Sequence, residues 1–160
     1  MPELNILCVD DQRDVLAALR KDLAVFEDVF EIIDCESAAE ASEVMDEIDA
    51  AGGYVALLIC DHVMPEKNGV DFLTEVHHDL RFIHTRKLLL TGLATHEDTI
   101  EAINLAGIDY YVEKPWTPDR LVAVVKTLVT TFILRAGLEY QPLLPHLDQQ
   151  VLYKALRDRT

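Results

Sequence analysis

The sequence predicts a single α/β domain in which a parallel β-sheet is covered by helices on both faces. Five short apolar runs alternate along the chain with stretches whose apolar residues recur at helical spacing. Several of these runs are continuously apolar, which is typical of strands buried on both faces of a parallel sheet. The 160 residues, half of them hydrophobic, suffice for one domain with a proper core and a short appendage.

Strand–helix units fill the first half of the chain. Ser37, with Glu40 three residues later, predicts an N-terminal helix cap, and Gly52-Gly53 marks the end of that helix. The predicted elements, in order, are a strand at Leu4–Val9, a helix over residues 15–26, a strand at Val29–Cys35, a helix over residues 37–48 and a strand at Tyr54–Cys60.

The second half repeats this alternation. Thr95 and Asp98 predict the start of one helix, and Pro118 suits the first turn of the last and longest helix. The predicted elements, in order, are a helix from Gly69 to Val76, a strand at Lys87–Thr91, a helix from residue 95 to Gly107, a strand at Ile108–Glu113 and a long helix from Pro118.

The end of the long helix is apolar over much of its circumference. Val129 and Ile133 widen a stripe that includes Leu128 and Phe132. Three alternatives stay open: the helix packs on its own domain, forms a homodimer, or docks the segment that follows. A short amphipathic helix is expected from about Asp148, so we divide the chain into a domain at 1–132 and a helical tail or linker at 133–160.

Composition disfavours several functions. The formal net charge of −15 repels nucleic-acid phosphates and anionic membranes, although an acidic surface is equally a device for solubility. No apolar run approaches the roughly 20 residues of a membrane span, and no signal peptide is expected at the N-terminus. Three cysteines without a paired spacing are expected to be buried, inert thiols in a reducing cytoplasm.

Charged and polar residues follow the predicted strands. The carboxyl ends of parallel strands meet at one edge of the sheet, where open α/β sheets bind ligands. Mg²⁺ suits a group of carboxylates, and a carboxylate can act as a nucleophile toward a phosphoryl group. The residues concerned are Asp10 and Asp11 after the first strand, Asp61 after the third, Thr91 at the end of the fourth and Lys114 after the fifth.

These positions resemble the response-regulator receiver domain of two-component signalling over about residues 3–132. The residues that carry the resemblance are Asp10-Asp11, "DHVMPEKNG" from Asp61 to Gly69, "LTG" from Leu90 to Gly92 and "VEKPW" from Val112 to Trp116. The resemblance implies a flavodoxin-like, doubly wound sheet with the strand order 2-1-3-4-5.

The resemblance also implies a role for each acidic residue. Asp61 would accept a phosphoryl group from a histidine kinase or phosphotransfer protein. Asp11 would bind Mg²⁺ directly, Asp10 would act mostly through water, and the backbone carbonyl of Val63 would be a further ligand. Val63 and Leu93 are apolar at positions that tune dephosphorylation in this family, so we expect slow autodephosphorylation.

The remaining implied roles concern the switch. Lys114, before a cis bond to Pro115, would bind the acceptor carboxylate and then the phosphoryl group. Thr91 would move inward to the phosphoryl oxygen, and Tyr111 would follow as the aromatic switch. The face formed by the fourth predicted helix, the fifth strand and the fifth predicted helix would then change shape.

Other functions and architectures remain in competition with this one. A Mg²⁺-dependent aspartyl phosphatase would need an Asp-x-Asp motif after the first strand, where this chain has Asp10-Asp11. A protein-interaction scaffold would leave Asp61 unmodified. We expect no stand-alone enzyme, but either a receiver that signals alone or the N-terminal part of a larger signalling protein, such as a kinase or a cyclic-nucleotide enzyme.

Overall fold

A computed structural model describes residues 3–92, 100 and 104–158. Its sheet has five strands, all paired in parallel, in the order β2-β1-β3-β4-β5. The predicted fold class and strand order are therefore confirmed. The strands are β1 (Leu4–Val9), β2 (Phe30–Cys35), β3 (Tyr54–Asp61), β4 (Arg86–Thr91) and β5 (Tyr110–Glu113).

Helices lie where the periodicity predicts them. They are α1 (Arg13–Asp22), α2 (Ala38–Ala50), α3 (Gly69–His77), α4 (Pro118–Arg135) and α5 (Gln149–Asp158). The Ser37 hydroxyl accepts a hydrogen bond from the Glu40 amide, and the Glu40 carboxylate accepts one from the Glu36 amide, as a capping box requires. The helix predicted from residue 95 to Gly107 lies mostly outside the described residues, of which 100 and 104–106 are helical.

The first predicted helix is shorter than expected. The α-helix ends at Asp22, and residues Leu23–Phe26 form a 3₁₀ turn. A 3₁₀ turn places residues three apart on the same side, so Leu23 and Phe26 are both buried. The helical spacing of the apolar residues could not distinguish this turn from one more turn of α-helix.

Each face of the sheet has its own apolar core. On one face α1 and α4 cover the strands, and on the other α2 and α3 do so. Cys8, Cys35 and Cys60 lie in these cores as free thiols, as predicted, and burial raises the pKa of each. The helices of the described ranges include none with an apolar stretch sufficient to span a lipid bilayer.

The tail packs on the end of α4. Leu143 and Leu147, in and after a 3₁₀ segment at Gln141–His146, are buried in the core of the α1–α4 face together with Phe132 and Ile133. The apolar end of the long helix is thus covered by its own domain and by the segment that follows it. The homodimer through this helix stays a prediction.

Asp148 fixes the start of α5 against α4. Its carboxylate accepts hydrogen bonds from the amides of Gln150 and Val151, and from the Thr127 hydroxyl at 2.8 Å. Its amide donates to the hydroxyl of Thr130, which is fully buried in α4. The helix predicted from about Asp148 is therefore present, and polar contacts join it to the domain.

Candidate phosphorylation and metal site

Three of the predicted site residues meet at the carboxyl edge of the sheet. Asp61 is the last residue of β3, Asp10 follows β1 and Lys114 follows β5. The Nζ atom of Lys114 lies 2.9 Å from Oδ1 of Asp61 and 3.0 Å from Oδ2 of Asp10. The lysine therefore bridges two carboxylates that come from different strands.

Local hydrogen bonds hold Asp10 in place beneath this lysine. Its amide donates to the carbonyl of Cys35 at 3.0 Å, which extends the pairing of β1 with β2. Its Oδ1 atom accepts the amide of Gln12 at 2.9 Å, in the turn that leads into α1. Asp10 is fully buried, whereas Asp11 is exposed, so the two neighbours have different surroundings.

The loop from β3 to α3 turns sharply beside Asp61. The Gly69 amide donates to the carbonyl of His62 at 2.8 Å, and a Cβ atom on Gly69 would lie 2.0 Å from the carbonyl oxygen of Asp61. The Asn68 side chain accepts the amide of Asp71 and caps α3. Asn68-Gly69 therefore starts the helix and also lets it approach the backbone of Asp61 closely.

Electrostatics favour a divalent cation at this edge. Asp10, Asp11 and Asp61 each offer a carboxylate oxygen, and these oxygens lie within 4.8 Å of one another. Three carboxylates against the single ammonium of Lys114 leave two negative charges. Oxygen ligands and a charge deficit of this size fit Mg²⁺, which is commonly held by one or two carboxylates together with water and phosphate oxygens.

The titration of the site reflects the same imbalance. Burial, and then the nearby charge of Asp61, raise the pKa of Asp10 above its ordinary value, although hydrogen bonds from Gln12 and Lys114 oppose the shift. Burial by itself would lower the pKa of Lys114, but its hydrogen bonds to the two carboxylates outweigh burial and raise it. Asp10 thus carries its charge at a cost to the fold.

Replacing Asp10 by asparagine should make the metal-free protein more stable at neutral pH. Because the folded state raises the pKa of Asp10, this group favours folding most below its ordinary pKa of 3.8, and that contribution is lost as the pH rises through the raised value. The free energy of unfolding of Asp10→Asn should therefore exceed that of the wild type by a margin that grows toward pH 7, to about 0.5–2 kcal/mol. Urea unfolding at a series of pH values measures it.

The control for this experiment is Asp11→Asn, which removes an exposed carboxylate from the same group. At neutral pH it should change the free energy of unfolding less than Asp10→Asn does. Parallel pH profiles for the wild type and Asp10→Asn would contradict the prediction.

The other predicted residues lie nearby with different exposure. Thr91 is buried at the end of β4, and its carbonyl accepts the Lys114 amide at 2.8 Å. Tyr111 on β5 is 40% exposed and Val63 is 77% exposed. The Lys114–Pro115 bond is cis, as predicted. Leu93 lies outside the described residues, and the switch and ligand roles of Thr91, Tyr111 and Val63 stay predictions.

A family model described as the response regulator receiver domain matches residues 6–126. The chain belongs to this family. It is 32% identical over 155 residues to the hydrogenase transcriptional regulatory protein HoxA of Bradyrhizobium diazoefficiens, an alignment that covers 94% of this chain and 30% of HoxA. It is 31% identical to the chemotaxis protein CheY1 of Helicobacter pylori, over 80% of this chain and 98% of CheY1.

Solved structures share the receiver fold. A CheY-like receiver domain protein from Methanospirillum hungatei superposes with a TM-score of 0.64 at 27% identity, and covers 78% of this chain and 91% of that one. A structure described as adenylate cyclase from Rhodopirellula baltica has a TM-score of 0.72 at 23% identity, and the superposition covers 91% of this chain and 98% of that one. The second likeness is one of fold.

Two contacts at or near the site were not predicted from the sequence. Gly69 was predicted only to open a helix, because a close approach between backbones leaves no mark in the residues themselves. Trp116 donates a hydrogen bond to Asp22 from 94 residues further along the chain. The "KPW" run drew attention to the tryptophan, but nothing in the sequence pointed to its acceptor.

Proposed function

We propose that this receiver is a phosphoryl-accepting switch of a two-component system, with Asp61 as the acceptor. The observation that carries the proposal is the position of Lys114 Nζ, 2.9 Å from Asp61, beside the grouped carboxylates of Asp10 and Asp11. An acceptor held rigidly at the end of a buried strand, with a cation within bonding distance, suits nucleophilic attack on phosphorus.

The reaction transfers a phosphoryl group from a phosphohistidine of a histidine kinase or phosphotransfer protein. An oxygen of Asp61 forms a bond to phosphorus as the phosphorus–nitrogen bond of the donor breaks, and the bond's electron pair stays on the imidazole. Lys114 binds the phosphoryl oxygens as charge moves onto them. Asp11, Asp61 and the Val63 carbonyl would hold Mg²⁺ directly and Asp10 mostly through water, and the bound ion would neutralise part of that charge.

The response would spread from Thr91 to the surface. The Thr91 hydroxyl donates to a phosphoryl oxygen, and Tyr111 moves inward behind it. Tyr111 lines a groove with Tyr110, Trp116 and Arg120, so its movement changes the shape of this groove. Such a change biases a two-state surface that a partner protein reads.

The output of the switch depends on whether the receiver is a separate protein or one domain of a longer protein. The chain spans less than a third of HoxA but nearly all of CheY1. A receiver domain is not itself an enzyme, and we propose that it acts either alone, through protein contacts, or as the N-terminal part of a larger protein. The buried free thiols suit a reducing cytoplasm.

Intact-mass measurement with acetyl phosphate and Mg²⁺ tests the proposal against Asp61→Asn. The wild type should gain the mass of one phosphoryl group, and Asp61→Asn should gain none. Beryllofluoride with Mg²⁺ should bind to the wild type and not to the variant. A wild type that neither gains mass nor binds beryllofluoride would favour the protein-interaction scaffold instead.

A further inference from the structure

Trp116 links the phosphorylation site to the opposite end of α1. Its indole N–H donates to Oδ2 of Asp22 at 2.8 Å, a partly buried hydrogen bond. Trp116 follows Lys114 by two residues, and its ring packs against the core of the α1–α4 face. The loop that carries the site lysine is therefore tied to a helix that contributes no ligand to the site.

Asp22 is poorly placed to stabilise its own helix. It is the last residue of α1, where the negative end of the helix dipole disfavours a carboxylate. Its side chain does not cap the 3₁₀ turn that follows. The described hydrogen bond of this carboxylate is the one from Trp116, so its position is explained by the loop rather than by the helix.

The loop has few other polar contacts. Among the described residues, the bond from Trp116 is the one side-chain hydrogen bond made by residues 115–117, and Thr117 does not cap α4 with its hydroxyl. On the other side of this segment, Lys114 must reach two carboxylates at once. The hydrogen bond from Trp116 to Asp22 therefore restricts the positions that Lys114 can adopt.

We propose that Trp116, held by Asp22, is a positioning residue that keeps Lys114 in the geometry needed to bind a phosphoryl group on Asp61. This inference rests on the proposed function. Without the hydrogen bond to Asp22, the loop adopts additional conformations in which Lys114 does not bridge the two carboxylates. The apparent dissociation constant for a phosphoryl group or its analogue then rises in inverse proportion to the fraction of molecules in which Lys114 is correctly placed. Loss of one such hydrogen bond should raise it about threefold to tenfold.

Calorimetric titration of beryllofluoride in Mg²⁺ buffer tests this with four variants. Trp116→Phe keeps an aromatic ring but loses the donor, and Asp22→Ala loses the acceptor. Each should raise the dissociation constant about threefold to tenfold, and the double variant should raise it no further. Asp22→Asn keeps an acceptor oxygen and should stay within about twofold of the wild type.

Thr127→Ala is the matched control, since it removes a different hydrogen bond of α4, the one to Asp148. It should lower the urea unfolding midpoint but leave the dissociation constant unchanged. Trp116→Phe and Asp22→Ala proteins that lose stability yet bind as the wild type does would overturn the inference. The inference would also be overturned if the losses of beryllofluoride affinity in the two single variants added up in the double variant. Such losses would come separately from ring packing and from helix charge, and not from the hydrogen bond between Trp116 and Asp22.

The outcomes also separate this inference from the proposed function. If the wild type binds beryllofluoride and Trp116→Phe binds equally well, only the positioning role fails. If the wild type itself does not bind, the phosphoryl-accepting role fails and the positioning role fails with it. The single tryptophan of the chain adds an independent signal, because Asp22→Ala should shift its fluorescence emission before any ligand is added.

Discussion

Replacing Gly69 by alanine should lower the free energy of unfolding by about 3 kcal/mol and slow the phosphorylation of Asp61 at least about tenfold. The added Cβ would lie 2.0 Å from the Asp61 carbonyl oxygen and 2.9 Å from its carbonyl carbon. Both are backbone atoms, so no side-chain rotation relieves the overlap. Either α3 or the end of β3 must move, so we expect the Asp61 carboxylate to shift away from Lys114.

Thermal unfolding and the rate of mass gain with acetyl phosphate measure the two effects. For a domain of this size, about 3 kcal/mol corresponds to a fall in Tm of about 6–12 °C. Gly92→Ala is the matched control at the same edge of the sheet, because a Cβ there would meet nothing within 4 Å. A Gly69→Ala protein that unfolds and reacts like Gly92→Ala would show that the loop can yield without disturbing Asp61.

The sequence was sufficient to predict that Asp10, Asp61 and Lys114 meet at one edge of the sheet. Asp10 and Lys114 each follow a strand of a parallel sheet and Asp61 ends one, and such strands end at a common edge whatever the distances along the chain. Apolar runs and helical spacing fixed the strands and most helix starts, since burial on one or both faces imposes those patterns. These features depend on the spacing of apolar residues and on which residues stand at the strand ends, and both can be identified in a single sequence.

Contacts between distant elements were not predictable in the same way. The approach of Gly69 to Asp61 depends on the path of the loop, and the bond from Trp116 to Asp22 depends on how α1 and α4 pack on one face of the sheet. Neither leaves a periodic signal. The boundary between the receiver and the tail was harder to predict, because the apolar end of a helix can be buried equally well by a second copy of the chain or by a later segment of the same chain.

That boundary is tested by Leu147, a residue of the tail that is fully buried against the domain. Leu147→Ala should lower the free energy of unfolding of the whole protein by about 3 kcal/mol, through lost contacts and the cavity that remains. Leu80→Ala, at a leucine that is 82% exposed, should change it by less than about 0.5 kcal/mol. Urea unfolding followed by circular dichroism and by Trp116 fluorescence measures both.

Whether the two unfolding signals change together decides between a separate linker and a tail that is an integral part of the domain. A linker would unfold separately, and Leu147→Ala would leave the Trp116 signal, which reports on the loop beside α1, unchanged. An integral tail would move the midpoints of both signals together, because Leu147 shares a core with Phe26 and Phe132. The Asp148 contacts to Thr127 and Thr130 favour this second result. The cooperative unit would then extend through α5, beyond residue 132 where the receiver was expected to end.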